Sequence, residues 1–186
     1  MVSLSELWAP ILLASVLVFL ASALMWMVLP FHRQDYRKLP DEPALADALR
    51  RQGALPGEYV FPCASDPGER KDPAFLKRMQ EGPVGFLTLA KPGDVGMGKK
   101  LVTWFLHVVV VSIFVAYLAA HTLPPGTEYL QVFRVVGTAA ILAYSGAVIP
   151  AGIWYSRPWG NVFRSALDGV VYGLLTAGTF GWLWPR

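Results

Sequence analysis

The chain has a single cysteine, Cys63, and only three histidines among its 186 residues. One thiol forms no internal disulfide, and a lone Cys supports neither a zinc site nor a dithiol redox pair. Charge is scarce as well, at 16% of residues against about a quarter in ordinary soluble domains. Catalytic signatures are missing: there is no HExxH, no GxSxG, no helical Glu-x-x-His and no nucleophile with an identifiable base. The stretch Lys91 to Lys100 has glycines and lysines but not the Gly-x-x-x-x-Gly-Lys-Ser/Thr order of a phosphate loop. Internal repeats are absent too, as are the paired broken helices of inverted-repeat transporters. These absences point away from an enzyme and leave no catalytic or metal-ligating residue to name.

What the chain has in quantity is apolar sequence: 54% hydrophobic residues and a mean hydropathy of +0.43. A hydrocarbon core of about 30 Å takes roughly 20 mostly apolar residues to cross. Four windows meet that length: Leu7 to Leu29, Leu101 to Thr122, Leu130 to Tyr155 and Val162 to Trp184. The expected fold is therefore an all-α membrane protein with four transmembrane helices and a small α+β loop domain between helices one and two. Its parts are an N-terminal helix (1–29), the loop domain (30–100) and a three-helix region (101–186, about 101–122, 130–155 and 162–184). The first window lacks a basic flank and exceeds a typical signal h-region, so it reads as a retained anchor.

The net charge of +3 and pI near 9.1 do not indicate nucleic acid. Segment 30–100 holds twelve Lys/Arg against ten Asp/Glu, and the remaining bases flank helices. Arg33, Arg37 and Lys38 follow the first helix, Lys99 and Lys100 precede the second, and Arg157 and Arg164 flank the last turn. By the positive-inside rule these face the cytoplasm and lipid headgroups, leaving both termini periplasmic in a bacterial inner membrane. Trp8 and Trp184 mark the outer interface; Trp104, Tyr155 and Trp159 mark the inner one.

Within the loop domain, Asp41-Glu42-Pro43 reads as a helix start that Gly53 ends. Glu58 to Phe61 and Val84 to Ala90 read as short strands that pair, with a short helix from Pro73 to Gln80 between them.

On the last helix Gly169, Gly173, Ala177 and Gly181 recur every four residues, and helix three has Gly137, Ala140, Gly146, Ala147 and Gly152. Such small-residue stripes let helices approach closely in lipid. They serve either to pack these two helices together or to dock another subunit. Asp168 is the one carboxylate inside an apolar window, a costly place for charge. Arg164, one turn earlier, is its expected ion-pair partner, and His107 on helix two lies at similar depth. His107 and His121 are fourteen residues apart, about 21 Å along a helix axis, so they cannot share one metal or haem. Each singly is a candidate ligand for a haem or chlorophyll-type pigment, although no cofactor is expected. Ser112 and Ser145 are expected to bond backbone carbonyls.

The stretches Phe31 to Glu42, Pro56 to Pro62, Gly82 to Phe86 and Thr176 to Pro185 resemble a family of four-helix bacterial inner-membrane proteins of similar length. That family has no assigned activity. The resemblance implies a bacterial inner-membrane setting and carries over no functional residue.

Three readings follow. The first is a non-enzymatic accessory or scaffold subunit of a larger inner-membrane complex, respiratory or photosynthetic, with lipid and other membrane subunits as partners. The second is a small proton or ion transporter or channel component using Asp168 and His107. The third is a haem- or pigment-binding electron-transfer protein.

Overall fold

A computed structural model describes residues 2–93 and 96–186, so the glycine-lysine stretch at 91–100 lies partly outside the described residues at Asp94 and Val95. The chain divides into two compact units. One comprises Met1–Asp35, Gly96–Ile153 and Arg157–Arg186; the other comprises Tyr36–Val95 and Trp154–Ser156.

The first unit is helical. Its elements are α1 (Trp8–Ala23), α4 (Met97–Thr122), α5 (Tyr129–Ser145), the short α6 (Ile149–Trp154, shared with the second unit) and α7 (Trp159–Trp182). Among the described residues, three helical stretches are long and apolar enough to cross a membrane: Leu4–Val28, Met97–Thr122 and Tyr129–Trp154. That is one fewer than expected. The helix α7 has 24 residues, enough for about 36 Å. Its apolar character is diluted by Arg164, Asp168, four glycines between 169 and 181, and two threonines.

Those glycines are used inside the chain. A Cβ on Gly169 would sit 2.3 Å from Ser145 Oγ and 2.8 Å from the Ser145 backbone nitrogen. On Gly173 it would sit 2.4 Å from Ile141 Cγ1, and on Gly181 2.8 Å from the Tyr129 ring. Gly137 faces Ala177 at 3.2 Å. From Gly169 to Ala177 the α7 number rises by four as the α5 number falls by four, so the helices run antiparallel with backbones nearly touching. Packing of this closeness drives helix association where lipid offers no hydrophobic gain. Ser145 Oγ donates across this seam to the Ala166 carbonyl at 2.8 Å. Its partner is a backbone carbonyl, but on the neighbouring helix.

A polar seam joins α1 to α4. Ser15 Oγ donates to Ser112 Oγ at 3.2 Å, and Trp104 Nε1 donates to Ser22 Oγ at 2.8 Å. Ser15 also donates to the Ile11 carbonyl at 2.7 Å, so Ser112 meets a facing hydroxyl, whereas a carbonyl partner was expected. Interhelical hydrogen bonds of this kind contribute about 0.6 kcal/mol each in apolar surroundings. The helix α5 ends in a 3-10 turn, Gly146–Val148, before α6. Pro150 explains the break: it brings no backbone N–H, so a carbonyl one turn earlier goes unpaired.

The second unit contains α2 (Glu42–Arg51), β1 (Gly57–Phe61), α3 (Pro73–Glu81) and β2 (Gly85–Leu89). Asp41 caps α2 by accepting from Ala44 N at 2.9 Å, and Asp72 caps α3 by accepting from Ala74 N at 2.7 Å. The helix α2 closes with Gly53 at φ +65°, a conformation that suits glycine. The strands pair antiparallel, Gly57 opposite Leu89 through Phe61 opposite Gly85. Mostly helical structure with a small two-stranded sheet is therefore the observed class.

Candidate functional site

The site forms where α1 ends. From Leu24 to Val28 the helix loosens into a wider turn, closed by Leu29 N donating to Leu24 O at 2.9 Å. Such π-turns recur at functional sites. Leu29 is extended, Pro30–His32 makes one 3-10 turn, and Asp35 N then donates to His32 O at 3.0 Å. This tight path lays His32 and Asp35 against the first turns of α7.

A line of charge results. Asp35, with its side chain 1% exposed, accepts from Arg164 Nε at 2.7 Å and pairs also with Nη2. Its other oxygen meets His32 Nδ1 at 2.7 Å. Asn161 braces the pair, donating from Nδ2 to the Asp35 carbonyl at 2.8 Å and accepting from Arg164 Nη2 at 2.8 Å. On the far side of the imidazole, His32 Nε2 lies 2.9 Å from Asp168 Oδ2, although out of line for a full hydrogen bond. Trp26 Nε1 donates to that same oxygen at 3.1 Å, and its ring stacks on His32 at 3.9 Å and 6°.

Burial pushes the Asp35 carboxyl up, but hydrogen bonds from His32 and Arg164 outweigh it and hold Asp35 below its ordinary 3.8. Asp35 is therefore ionised near neutrality, and a carboxylate only accepts hydrogen bonds. The proton on His32 Nδ1 is committed to it. Two lone pairs would then face each other across the 2.9 Å gap between His32 and Asp168 unless a second proton occupies it. A proton held there by either group would make the set Arg164, Asp35, His32 and Asp168 electrically neutral. A buried set of this kind survives only when balanced.

Asp168 also lines a cavity of about 680 Å³. Its walls come from α1 and the turn after it (Ser22, Trp26), α4 (Trp104, His107), α5 (Tyr144) and α7 (Tyr172). Three cavity-lining residues have buried polar atoms without a hydrogen-bond partner among the described residues: Asp168 Oδ1, Tyr144 OH and Tyr172 OH. Buried polar groups are otherwise almost always satisfied.

The structure rearranges the sequence-based assignments. Arg164 does not pair with Asp168 among the described residues; it reaches Asp35, a partner outside the apolar windows. His107 shares the cavity wall with Asp168 but makes no hydrogen bond to it, and its ring stacks on Trp104 at 5.5 Å. His121 is exposed at the other end of α4, with Nδ1 2.8 Å from the Tyr117 carbonyl. Gly169, Gly173, Ala177 and Gly181 form the seam with α5. Arg33, Arg37, Lys38, Lys99 and Lys100 are all exposed.

Sequence reasoning missed His32, Asp35, Asn161, Trp26 and the two tyrosines. A signal existed: Asn161, Arg164 and Asp168 recur at spacings of three and four, one face of a helix. Three polar groups gathering on that face called for a second set elsewhere.

Removing Arg164 has a distinctive pH signature. Folded Asp35 titrates below its unfolded value of 3.8, so its stabilisation is complete above that pH and fades as pH falls through the folded value. Arg164→Ala leaves a buried carboxylate short of its main partner, at a cost of roughly 3 kcal/mol near neutrality. Thermal unfolding in detergent is expected to show that loss at pH 7 and a loss that shrinks as pH falls below 3.8.

Comparison with protein-family models, with curated proteins and with solved structures finds no match for this chain, so its functional reading rests on the geometry above.

Proposed function

We propose that this chain is a small proton-translocating membrane protein, with Asp168 and His32 as the proton-holding pair. One observation carries the reading: a carboxyl group only 3% exposed lies 2.9 Å from a buried histidine and belongs to a residue that also lines a cavity. Intramembrane carboxylates cost several kcal/mol and commonly mark proton or ion pathways. The path runs from the cavity to Asp168, across the shared proton to His32, and on to Asp35. Arg164, 26% exposed at its side chain, sits where that line approaches water. His107, from the earlier ion-path reading, belongs to the cavity end of this route.

In this reading α7 is a fourth crossing, held at membrane depth by its glycine seam with α5. The Lys/Arg bias places the loop 30–100 in the cytoplasm and both termini outside, in a bacterial inner membrane. Reconstituted protein is expected to dissipate an imposed pH gradient in liposomes well above the rate of protein-free vesicles. Equal rates would refute translocation.

The accessory-subunit role is the second reading, and the loop unit favours it. Phe75 is the one apolar side chain of that unit buried among the described residues, while Leu55, Tyr59, Val60, Phe61 and Phe86 stay exposed. A lone two-stranded sheet is marginal without something to pack on. Recovery of a stoichiometric membrane partner in mild detergent supports this role; a partner-free protein removes it.

A further inference from the structure

We propose that the cavity binds a single-chain anionic amphiphile, a long-chain fatty-acid carboxylate, with its head on Arg157 and its chain along the apolar wall. This goes beyond proton translocation and stands on different residues, so either can fail alone.

Arg157, just before α7, supplies the charge. Its backbone N–H donates to the Ala151 carbonyl at 3.2 Å, and its Nη2 donates to Ser165 Oγ at 3.0 Å. Arg157 and Ser165 both line the cavity, so their hydrogen bond holds the guanidinium at its wall. A guanidinium has five N–H donors, and Ser165 takes one of them. Nε and Nη1 have no hydrogen-bond partner among the described residues, yet neither is buried. Arg157 also makes no salt bridge among the described residues. A positioned and accessible fork of this kind matches a planar carboxylate, which it grips through two parallel N–H bonds.

The rest of the wall narrows the occupant. Among the described lining residues Arg157 is the only Lys or Arg, and Asp168 is the only carboxyl. Asp168 is buried and keeps Oδ2 on Trp26 and His32, which leaves Arg157 as the accessible charge. His107, exposed on the same wall, offers a further N–H in either tautomer. A cation would face the guanidinium. A neutral occupant would strip water from it without returning a charge. A phosphate monoester brings about −1.5 to −2 near neutrality against one guanidinium, whereas a carboxylate brings a single charge.

The body of the occupant is apolar. Met27, Leu101, Ala143, Ala147 and Val148 line the same space, and affinity grows with each CH2 taken out of water. A volume of about 680 Å³ falls within the usual range of small-molecule sites, ~300–1,000 Å³. Met27 and Met97 are exposed as well as cavity-lining, so the space reaches the surface between the end of α1 and the start of α4. In the topology proposed above, that mouth lies at the cytoplasmic membrane interface. An acyl chain enters there from the bilayer while its head stays near water.

The test uses the purified full chain in a neutral detergent, with protein-free micelles as the blank. The probes share one chain: octanoate, octyl phosphate, octanol and octylammonium, with acetate as the head alone. Calorimetry is expected to show saturable octanoate binding at least tenfold tighter than octanol, and none for octylammonium or acetate. Arg157→Gln should weaken octanoate at least tenfold, and Arg157→Lys, which keeps the charge but loses the fork, should retain part of the affinity. Ala147→Trp adds bulk to the wall and should weaken octanoate with Arg157 intact. Equal binding of octanol, or octanoate affinity unchanged in Arg157→Gln, overturns the proposal. If Arg157→Gln does not fold, unchanged octanoate affinity in Ala147→Trp overturns it. Tighter binding of octyl phosphate than of octanoate overturns the carboxylate assignment. Octanoate binding retained in Asp168→Asn, where proton flux is expected to vanish, supports a site separate from the proton pair.

Discussion

Asp168→Asn is expected to abolish proton flux in pyranine-loaded proteoliposomes while leaving expression and thermal stability close to wild type. The amide matches the carboxyl in shape, and its oxygen still accepts from Trp26 Nε1, 3.1 Å away in the native site. With its oxygen in that place, its NH2 group takes the position of Oδ1, away from His32 Nε2. What the amide lacks is an exchangeable acid proton, so the step between cavity and imidazole disappears. His32→Gln should reduce flux at least tenfold, because it removes the only titratable group between Asp168 and Asp35 among the described residues. It should also lower stability, since Asp35 loses a hydrogen bond at 2.7 Å and Trp26 loses its stacking partner. Asp168→Glu keeps the proton and is expected to retain partial flux. Full activity in Asp168→Asn would remove Asp168 from any proton path.

Gly173→Leu is expected to prevent stable folding, and even Gly173→Ala should cost about 1–3 kcal/mol from overpacking. A Cβ there falls 2.4 Å from Ile141 Cγ1 and 2.9 Å from the Ile141 backbone nitrogen. The Ile141 side chain can move aside, but its backbone cannot without parting the two helices. Alanine's better helix propensity, about 1 kcal/mol over glycine, offsets only part of this. Gly178 is the internal comparison on the same helix: its nearest neighbour would be Tyr129 OH at 3.6 Å, an ordinary contact. Gly178→Ala should therefore be neutral or slightly stabilising in a detergent melting assay. If both alanine variants behave alike, close approach at Gly173 is not what holds α5 against α7.

The contrast between these two helix faces shows what periodicity can and cannot tell. The four-residue stripe was readable because close helix packing demands small side chains at fixed spacing, whatever the partner. Which helix it met was not readable, since a glycine face serves a neighbour within the chain as well as another subunit. Helices α2 and α3 and the two short strands followed from local chemistry: an aspartate cap, a first-turn proline, a terminal glycine and bounded apolar runs. Asp168 stood out for the same local reason, as a carboxylate in an apolar window. Its partner did not. Arg164 at i−4 satisfied every local rule, yet Asp35, beyond the α1 turn, takes Arg164 on one carboxylate oxygen while His32 holds the other and Asn161 braces its backbone carbonyl. That competition is decided by the path from Leu24 to Asp35, where a π-turn and a 3-10 turn aim His32 and Asp35 at α7. Irregular turns leave little periodic trace. The last helix posed the converse problem: polar residues serving the site and glycines serving the seam both lower its apolar character.

The most direct test of the proton-holding pair is infrared difference spectroscopy of the reconstituted protein between acidic and alkaline pH, with Asp168→Asn as reference. A buried carboxylic-acid band that appears and disappears with pH in the wild type, shifts in His32→Gln and is absent from Asp168→Asn is the expected result. A difference spectrum identical in the wild type and Asp168→Asn would show that Asp168 exchanges no proton, and would contradict the account at its centre.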